Sequence, residues 1–331
     1  MKKDKLLRRA VMGADLLSKM VKDDGKFIYG YKGPDTKEEI PGYNILRHAG
    51  CIWAMLVVNE VVPKKKYVEK SKLALDWMIR KHIKPYKDHM VVIQNGHAKL
   101  GSNGLAILAL MKYHNLKQDD EKYLRVAFEL MNYIRWCCTD SSGQLLYHKR
   151  NIEYDVSTPF TSEFYPGEAT LGLCEFIKLV NMRPFNRLID MVIDYHFRLR
   201  RMAGHIRDHW MMQAIEKSGL SEKYQKYADD IVYEEIRSGH SPKSCAAACR
   251  SEAMISYINM MTPEQNAKRG ETVERSLNEY IKYQMNMQIT EGMHKGGFIW
   301  SLTNEMIRCD AIQHNICSFI RYYGLLKRRP K

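Results

Sequence analysis

The chain has 331 residues, 45% of them apolar and 27% charged, ordinary values for a soluble folded protein. They exclude whole-chain disorder, a collagen-like repeat and a multi-span membrane protein. Fifty-two Lys and Arg against thirty-eight Asp and Glu give a formal charge of +14, which biases the chain toward anionic partners. The excess is scattered over short runs (Lys2-Lys3, Lys64-Lys65-Lys66, Arg198 to Arg201, Lys327 to Arg329) with no recognition motif, so nucleic acid is not an expected partner.

In chain order, the first stretch, Leu6 to Met20, is broken by Arg8, Arg9, Asp15 and Lys19 and reads as an amphipathic helix rather than a signal peptide. Beyond it, two kinds of helix alternate. One kind is long, charged and one-sided, at 3–23, 64–83, 119–138, 184–202, 222–238 and 264–288. The other is apolar nearly all round and rich in small residues, at 44–61, 101–115, 166–181, 207–219, 246–261 and 310–326, as expected of helices buried on most sides. None of these apolar segments reaches the roughly 20 residues needed to cross a bilayer. Short strands are expected only near 27–31, 90–93 and 145–147.

Six outer-type helices, each followed by one inner-type helix, predict an all-α (α/α)6 barrel, a double-walled toroid of six helical hairpins. The uneven spacing of the inner helices argues against a fixed-period solenoid. Small residues such as Ala49-Gly50, Gly104, Gly167, Gly172 and Ala246-Ala247-Ala248 suit a tight inner ring. With no Gly-, Pro- or Ser-rich linker in sight, residues 1–331 read as one domain.

Eight cysteines lie mostly in apolar helical stretches, which reads as reduced thiols in a cytoplasmic compartment. Cys245 and Cys249 share a helix face, but no second pair or His partner completes a zinc pattern, so they read as core thiols and no metal is expected. P-loop, dinucleotide-binding, nucleophile-elbow and metalloprotease motifs are absent, and no cofactor is expected.

Each inner helix opens on polar, chemically capable residues before turning apolar, which gathers them at one barrel mouth: Tyr43-Asn44-Ile45-Leu46-Arg47-His48, Gly101-Ser102-Asn103, Tyr165-Pro166-Gly167-Glu168, Arg207-Asp208-His209-Trp210, Arg250-Ser251-Glu252 and Asp310-Ala311-Ile312-Gln313-His314. Capping explains Asn44, Asp208 and Asp310 singly, and Glu168 suits a helix N-terminus. It does not explain the company of Arg47, His48, His209, Trp210, Arg250, Gln313 and His314, and buried polar groups need partners or a ligand. Arg47 can clamp an anion or pair with Glu168 or Asp310. Asp310 and His314, at i and i+4, share a face for proton transfer or for a structural hydrogen bond.

The segments Tyr43 to Gly50, Tyr165 to Ala169, Asp208 to Trp210 and Ile307 to His314 make the chain resemble the six-hairpin glycosidase-like superfamily of (α/α)6 toroids, above all certain bacterial six-hairpin domains. That superfamily holds glycoside hydrolases, polysaccharide lyases and sugar epimerases, so the resemblance implies a carbohydrate-active enzyme whose reaction the fold does not choose.

The reading that follows is a glycoside hydrolase on an acidic or phosphorylated oligosaccharide or polysaccharide. Its paired carboxyls come from Glu168, Asp208, Glu252 and Asp310. Glu168 and Asp208 are the expected base or nucleophile, and Glu252 or Asp310 the acid. Arg47 and Arg250 hold the substrate anion, while Tyr43, Asn44, His48, Tyr165, His209, Trp210, Gln313 and His314 orient the sugar. Two alternatives stand beside it. A uronate lyase or C5-epimerase would draw on His48, His209, His314 or Tyr165, and a non-catalytic glycan-binding or assembly protein would only bind.

Overall fold

The computed structural model describes residues 3–117, 121–180, 184–203, 207–239 and 241–328. Lys2 and Arg329 of the basic runs lie outside the described residues. Twelve α-helices run through the described residues: α1 Lys3–Met20, α2 Ile45–Val61, α3 Lys65–His82, α4 Leu100–Leu116, α5 Glu121–Tyr133, α6 Tyr165–Val180, α7 Pro184–Ala203, α8 His209–Ser218, α9 Gln225–Arg237, α10 Ser244–Met260, α11 Pro263–Asn286 and α12 Cys309–Arg328. Eight short strands accompany them: β1 Gly30–Tyr31, β2 Ile83–Tyr86, β3 His89–Gln94, β4 His97–Lys99, β5 Lys149–Asn151, β6 Val156–Ser157, β7 Ile299–Ser301 and β8 Asn304–Arg308. The even-numbered helices are the apolar ones of the sequence. In α2, α4 and α12 an unbroken run of buried residues covers most of the helix, as an all-round apolar pattern requires.

Contacts divide the chain into two units, residues 1–74 with 235–331, and residues 75–234. In the first, α12 packs between α2 and α10 and also meets α1, while α11 covers α10. A three-stranded antiparallel sheet in the order β1-β8-β7 belongs to this unit, and β8 runs straight into α12. That junction fixes where the first residues of α12 stand. Two helix starts are set by capping chemistry: Asn44 Oδ1 accepts from Leu46 N at 3.1 Å, and Thr262 with Gln265 forms a capping box ahead of Pro263.

In the second unit, α4, α6 and α8 lie side by side, α5 against α4 and α7 against α6. The α4–α6 contact needs glycine on both sides, because a Cβ on Gly104 would meet the backbone of Glu168 and Ala169, and one on Gly172 the backbone of Gly104. A five-stranded antiparallel meander, β2 through β6 in order, carries the chain around this helical core, and β4 leads into α4. Asn103 pins that junction, accepting from Val92 N at 2.9 Å and donating to Lys99 O at 2.9 Å.

Helix positions match the expected ones within a few residues, whereas most strands were not foreseen. Of the three expected segments, 90–93 falls inside β3, 27–31 shrinks to β1, and 145–147 yields only an isolated bridge at Leu145. Three-residue strands carry too few alternations to stand out from loop sequence.

Candidate active site

The densest chemistry of the first unit lies where α10 faces α12. On α10, Cys245, Cys249 and Glu252 follow at i, i+4 and i+7, one stripe of a helix. Opposite them on α12, His314 Nδ1–H donates to Glu252 Oε2 at 2.9 Å, with the Glu252 side chain wholly buried and that of His314 nearly so. Burial alone would lower the imidazole pKa. The negative charge at Cys245, Glu252 and Asp310, with the Glu252 hydrogen bond, outweighs it and raises His314 from the usual 6.5 to about 9. His314 is therefore an imidazolium at neutral pH, lying against a carboxylate.

The two thiols are polarised in opposite directions. Their mutual hydrogen bond and burial push Cys249 well up, whereas the same hydrogen bond and the nearby His314 charge hold Cys245 down. Cys249 thus keeps its proton. One donor atom each from Cys249, Glu252 and His314 lies within 4.8 Å of the others, close enough that a metal ion could draw them together. With Glu252 already bonded to His314, the three also suffice as a proton-transfer group.

Asp310 stands apart from this pair, although one turn separates it from His314. Arg308 grips its carboxylate through Nε at 2.6 Å and Nη2 at 2.8 Å, and Arg47 Nε approaches at 2.9 Å. Burial would raise this carboxyl, but the Arg308 hydrogen bonds and the charges of Arg47, Arg308 and His314 hold it below the usual range. The sequence offered Asp310 as a partner for His314 and as a general acid. In the structure Glu252 takes the first role, and a carboxyl fixed as an anion by two guanidinium groups does not suit the second.

Arg47 also donates to the Tyr29 hydroxyl. His48 uses both ring nitrogens inside the protein, since the Tyr43 hydroxyl donates to Nδ1 at 2.6 Å and Nε2–H donates to Ala74 O at 3.0 Å. Phe27 N–H donates to Tyr43 in turn at 3.2 Å. Tyr43 and His48 therefore tie the loop after α1 to α2 and α3. Arg250 is buried, with Nε 3.3 Å from Glu235 and hydrogen bonds to Gly239 O and to the Tyr280 hydroxyl at 3.2 Å. Gln313 packs against Gly50 of α2, in a place a Cβ at position 50 would fill.

Tyr165, Glu168, Asp208, His209 and Trp210 belong to the second unit, at the starts of α6 and α8. Asp208 caps α8, its Oδ1 accepting from Trp210 N and Met211 N at 3.1 Å each. Gly167 lets the α6 backbone close on that carboxylate. Glu168, His209 and Trp210 are buried, and the His209 ring lies 4.9 Å from Trp210 and 5.7 Å from Phe164. Tyr165 is half-buried, with Phe160 5.7 Å from its ring.

Sequence reasoning missed Cys249, Cys245, Arg308 and Tyr29. A signal for the first was present, because Cys249 precedes Glu252 by three residues and so shares its face. Arg308, two residues before Asp310, gave no periodic signal, since a β-strand ends and a helix begins between them.

By sequence, no protein-family model matches the chain and no curated protein matches it. Solved structures do. The chain is similar to a cellobiose 2-epimerase from Bacillus thermoamylovorans, with a TM-score of 0.75 and 13% identity over 97% of this chain and 100% of that one. A D-mannose isomerase superposes with a TM-score of 0.73 at 8% identity, over 99% of this chain and 97% of that one. An unsaturated glucuronyl hydrolase specific for heparin gives 0.66 at 11%, over 98% and 99%. The fold is thus the all-α (α/α)6 six-hairpin fold.

Proposed function

We propose that this six-hairpin chain is a sugar-interconverting enzyme that moves a proton at the carbon beside an aldose or ketose carbonyl, with His314 as the acid–base group and Glu252 as the residue that aligns and charges it. The observation that supports this most is the buried His314–Glu252 pair at 2.9 Å. An imidazolium can give its proton to the ring oxygen as a cyclic sugar opens, with the anomeric proton released to water. The neutral imidazole left behind is the base that then removes the proton from C2. Both acts fall to one group, and its raised pKa makes the acid form, which acts first, the resident one at neutral pH.

Hydrolysis of an acidic or phosphorylated glycan is supported less well. It needs one protonated and one ionised carboxyl. In the first unit Asp310 is held ionised by Arg308 and Arg47, Glu252 faces an imidazolium, and Asp208 of the second unit is engaged as a helix cap. The arginines expected to clamp an anion have carboxylate partners already, Arg47 with Asp310 and Arg250 with Glu235. An uncharged reducing sugar suits these pairings better than an anionic one. Agreeing with this, the epimerase and the D-mannose isomerase superpose more closely than the glucuronyl hydrolase.

The experiment is mass spectrometry of a mixed panel of reducing sugars and oligosaccharides incubated with the protein in heavy water, and in parallel in water labelled with heavy oxygen. Deuterium entering a sugar at unchanged chain length is the expected result. Shortened chains with labelled new reducing ends would establish a hydrolase instead, unsaturated fragments a lyase, and no change in any sugar would leave a binding protein.

A further inference from the structure

We infer that the Cys249 thiol is a second proton-transfer group of this site, carrying the hydroxyl proton between the first two sugar oxygens while His314 carries the carbon-bound one. The inference rests on the sugar-interconverting reading above and narrows it to aldose–ketose isomerisation.

Converting an aldose to a ketose moves two hydrogens, one from C2 to C1 and one from O2 to O1. A single imidazole facing the carbons serves the first transfer, and the second needs a donor and acceptor beside the oxygens. Since C2 and O2 are bonded neighbours, two groups on one side of the sugar that each stand about 3 Å from one of them can lie as little as about 3 to 5 Å apart. The donor atoms of Cys249 and His314 lie within 4.8 Å of each other. Epimerisation at C2 asks for something else, two groups on opposite faces of a flat enediol, each about 3 Å from the carbon and so about 6 Å apart. Cys249 and His314 are too close for that and fit transfer on one side.

The rest of the site agrees. Cys249 is only partly buried, and a thiol carries the proton needed to meet a carbonyl oxygen. Glu252 is bonded to His314 and acts through it, as a positioning residue. In the first half-reaction neutral His314 takes the C2 proton, the C–H electron pair becomes the C1=C2 bond, and the carbonyl π pair at O1 takes the thiol proton. An enediol, an imidazolium and a thiolate result. In the second half the thiolate takes the O2 proton, the C2=O2 bond forms, and the C1=C2 pair takes the proton from His314 at C1. Net charge is unchanged in each half, and both groups return to their starting forms.

The test follows D-glucose, D-mannose and D-fructose in heavy water with the full chain, reading deuterium at C2 of the aldoses and at C1 of the ketose, and the amount of aldose or ketose formed. Without the thiol, an enediolate can still form and be reprotonated at C2, but O2 cannot pass its proton on. Cys249→Ala should therefore lose interconversion by about 1,000-fold and C2 exchange by only about 10-fold, raising the ratio of exchange to product about 100-fold. Cys249→Ser, close in size and still a hydroxyl donor, should recover part of the interconversion and bring the ratio back toward wild type. A structural role would lower both rates together and leave the ratio unmoved in both variants, which would overturn the thiol assignment while wild-type exchange kept the sugar reading standing. Absence of exchange into all three sugars by the wild-type protein would overturn both.

Discussion

His314 on α12 and Glu252 on α10 meet at 2.9 Å through Nδ1 and Oε2, an ion pair that joins two buried helices at residues 62 positions apart. Removing one partner of a buried pair leaves an uncompensated charge, which commonly costs about 3–5 kcal/mol. A Glu252→Gln chain keeps a hydrogen-bond acceptor but not the charge. It should unfold at lower denaturant concentration, and the His314 pKa should fall from about 9 toward 6.5, followed by NMR titration of the ring protons. Turnover of the responsive sugar should fall by about 100-fold or more.

The pH profile follows from the same shift. Among the described residues of the first unit, the groups facing His314 are Cys245, Cys249 and Glu252 from α10 and Asp310 on α12, with Arg308 and Arg47 behind Asp310. Because the protonated imidazole acts first, kcat/KM should hold on the acid side and fall as pH rises through about 9. Stability takes the same sign: a pKa raised on folding adds stability that is complete below 6.5 and is lost as pH climbs through about 9. Denaturant midpoints measured across that window check the second half of the prediction.

Asp310 is expected to matter for stability more than for chemistry. An Asp310→Asn chain leaves Arg308 and Arg47 facing each other without a counter-charge at the β8–α12 junction. A loss of about 3–5 kcal/mol is expected by urea unfolding, and the remaining activity should fall off at a lower pH than in the wild type, because the Asp310 charge is one of those that raise His314.

Asp208 separates a cap from a catalyst. Asp208→Asn retains the side-chain acceptor for Trp210 N and Met211 N, so stability and sugar turnover should both stay close to wild type. Asp208→Ala should cost about 0.5–2 kcal/mol of stability. Loss of turnover by orders of magnitude in Asp208→Asn would return Asp208 to the catalytic carboxyls.

At the α4–α6 contact there is no room for a side chain. Gly104→Ala should destabilise by about 1–3 kcal/mol through overpacking, because the atoms in the way are the backbone of Glu168 and Ala169. Thermal melting would show this directly.

Helix positions and the alternation of outer and inner helices were legible because a buried helix is apolar all round and a covering one is not, a contrast that survives over ten or more residues. The contents of the inner-helix starts were legible too, as with Asn44 and Asp208, whose capping depends only on neighbours in sequence. Pairings across helices were not. Spacing along α12 offered Asp310 as the partner of His314, yet Arg308 and Arg47 take Asp310 and Glu252 comes from another helix. Cys249 was passed over although Glu252 shares its face, because along its own helix it reads as one small apolar residue among alanines, and His314 reaches it from α12.

The most direct measurement is the loss of the C2 proton signal of a reducing sugar in heavy water, followed by NMR with the wild-type chain and with His314→Gln at matched folded concentrations. Exchange by the wild-type protein that drops by about 1,000-fold or more in the variant is the expected result. Undiminished exchange in His314→Gln, or sugar-chain cleavage with no exchange in either protein, would contradict proton transfer by His314.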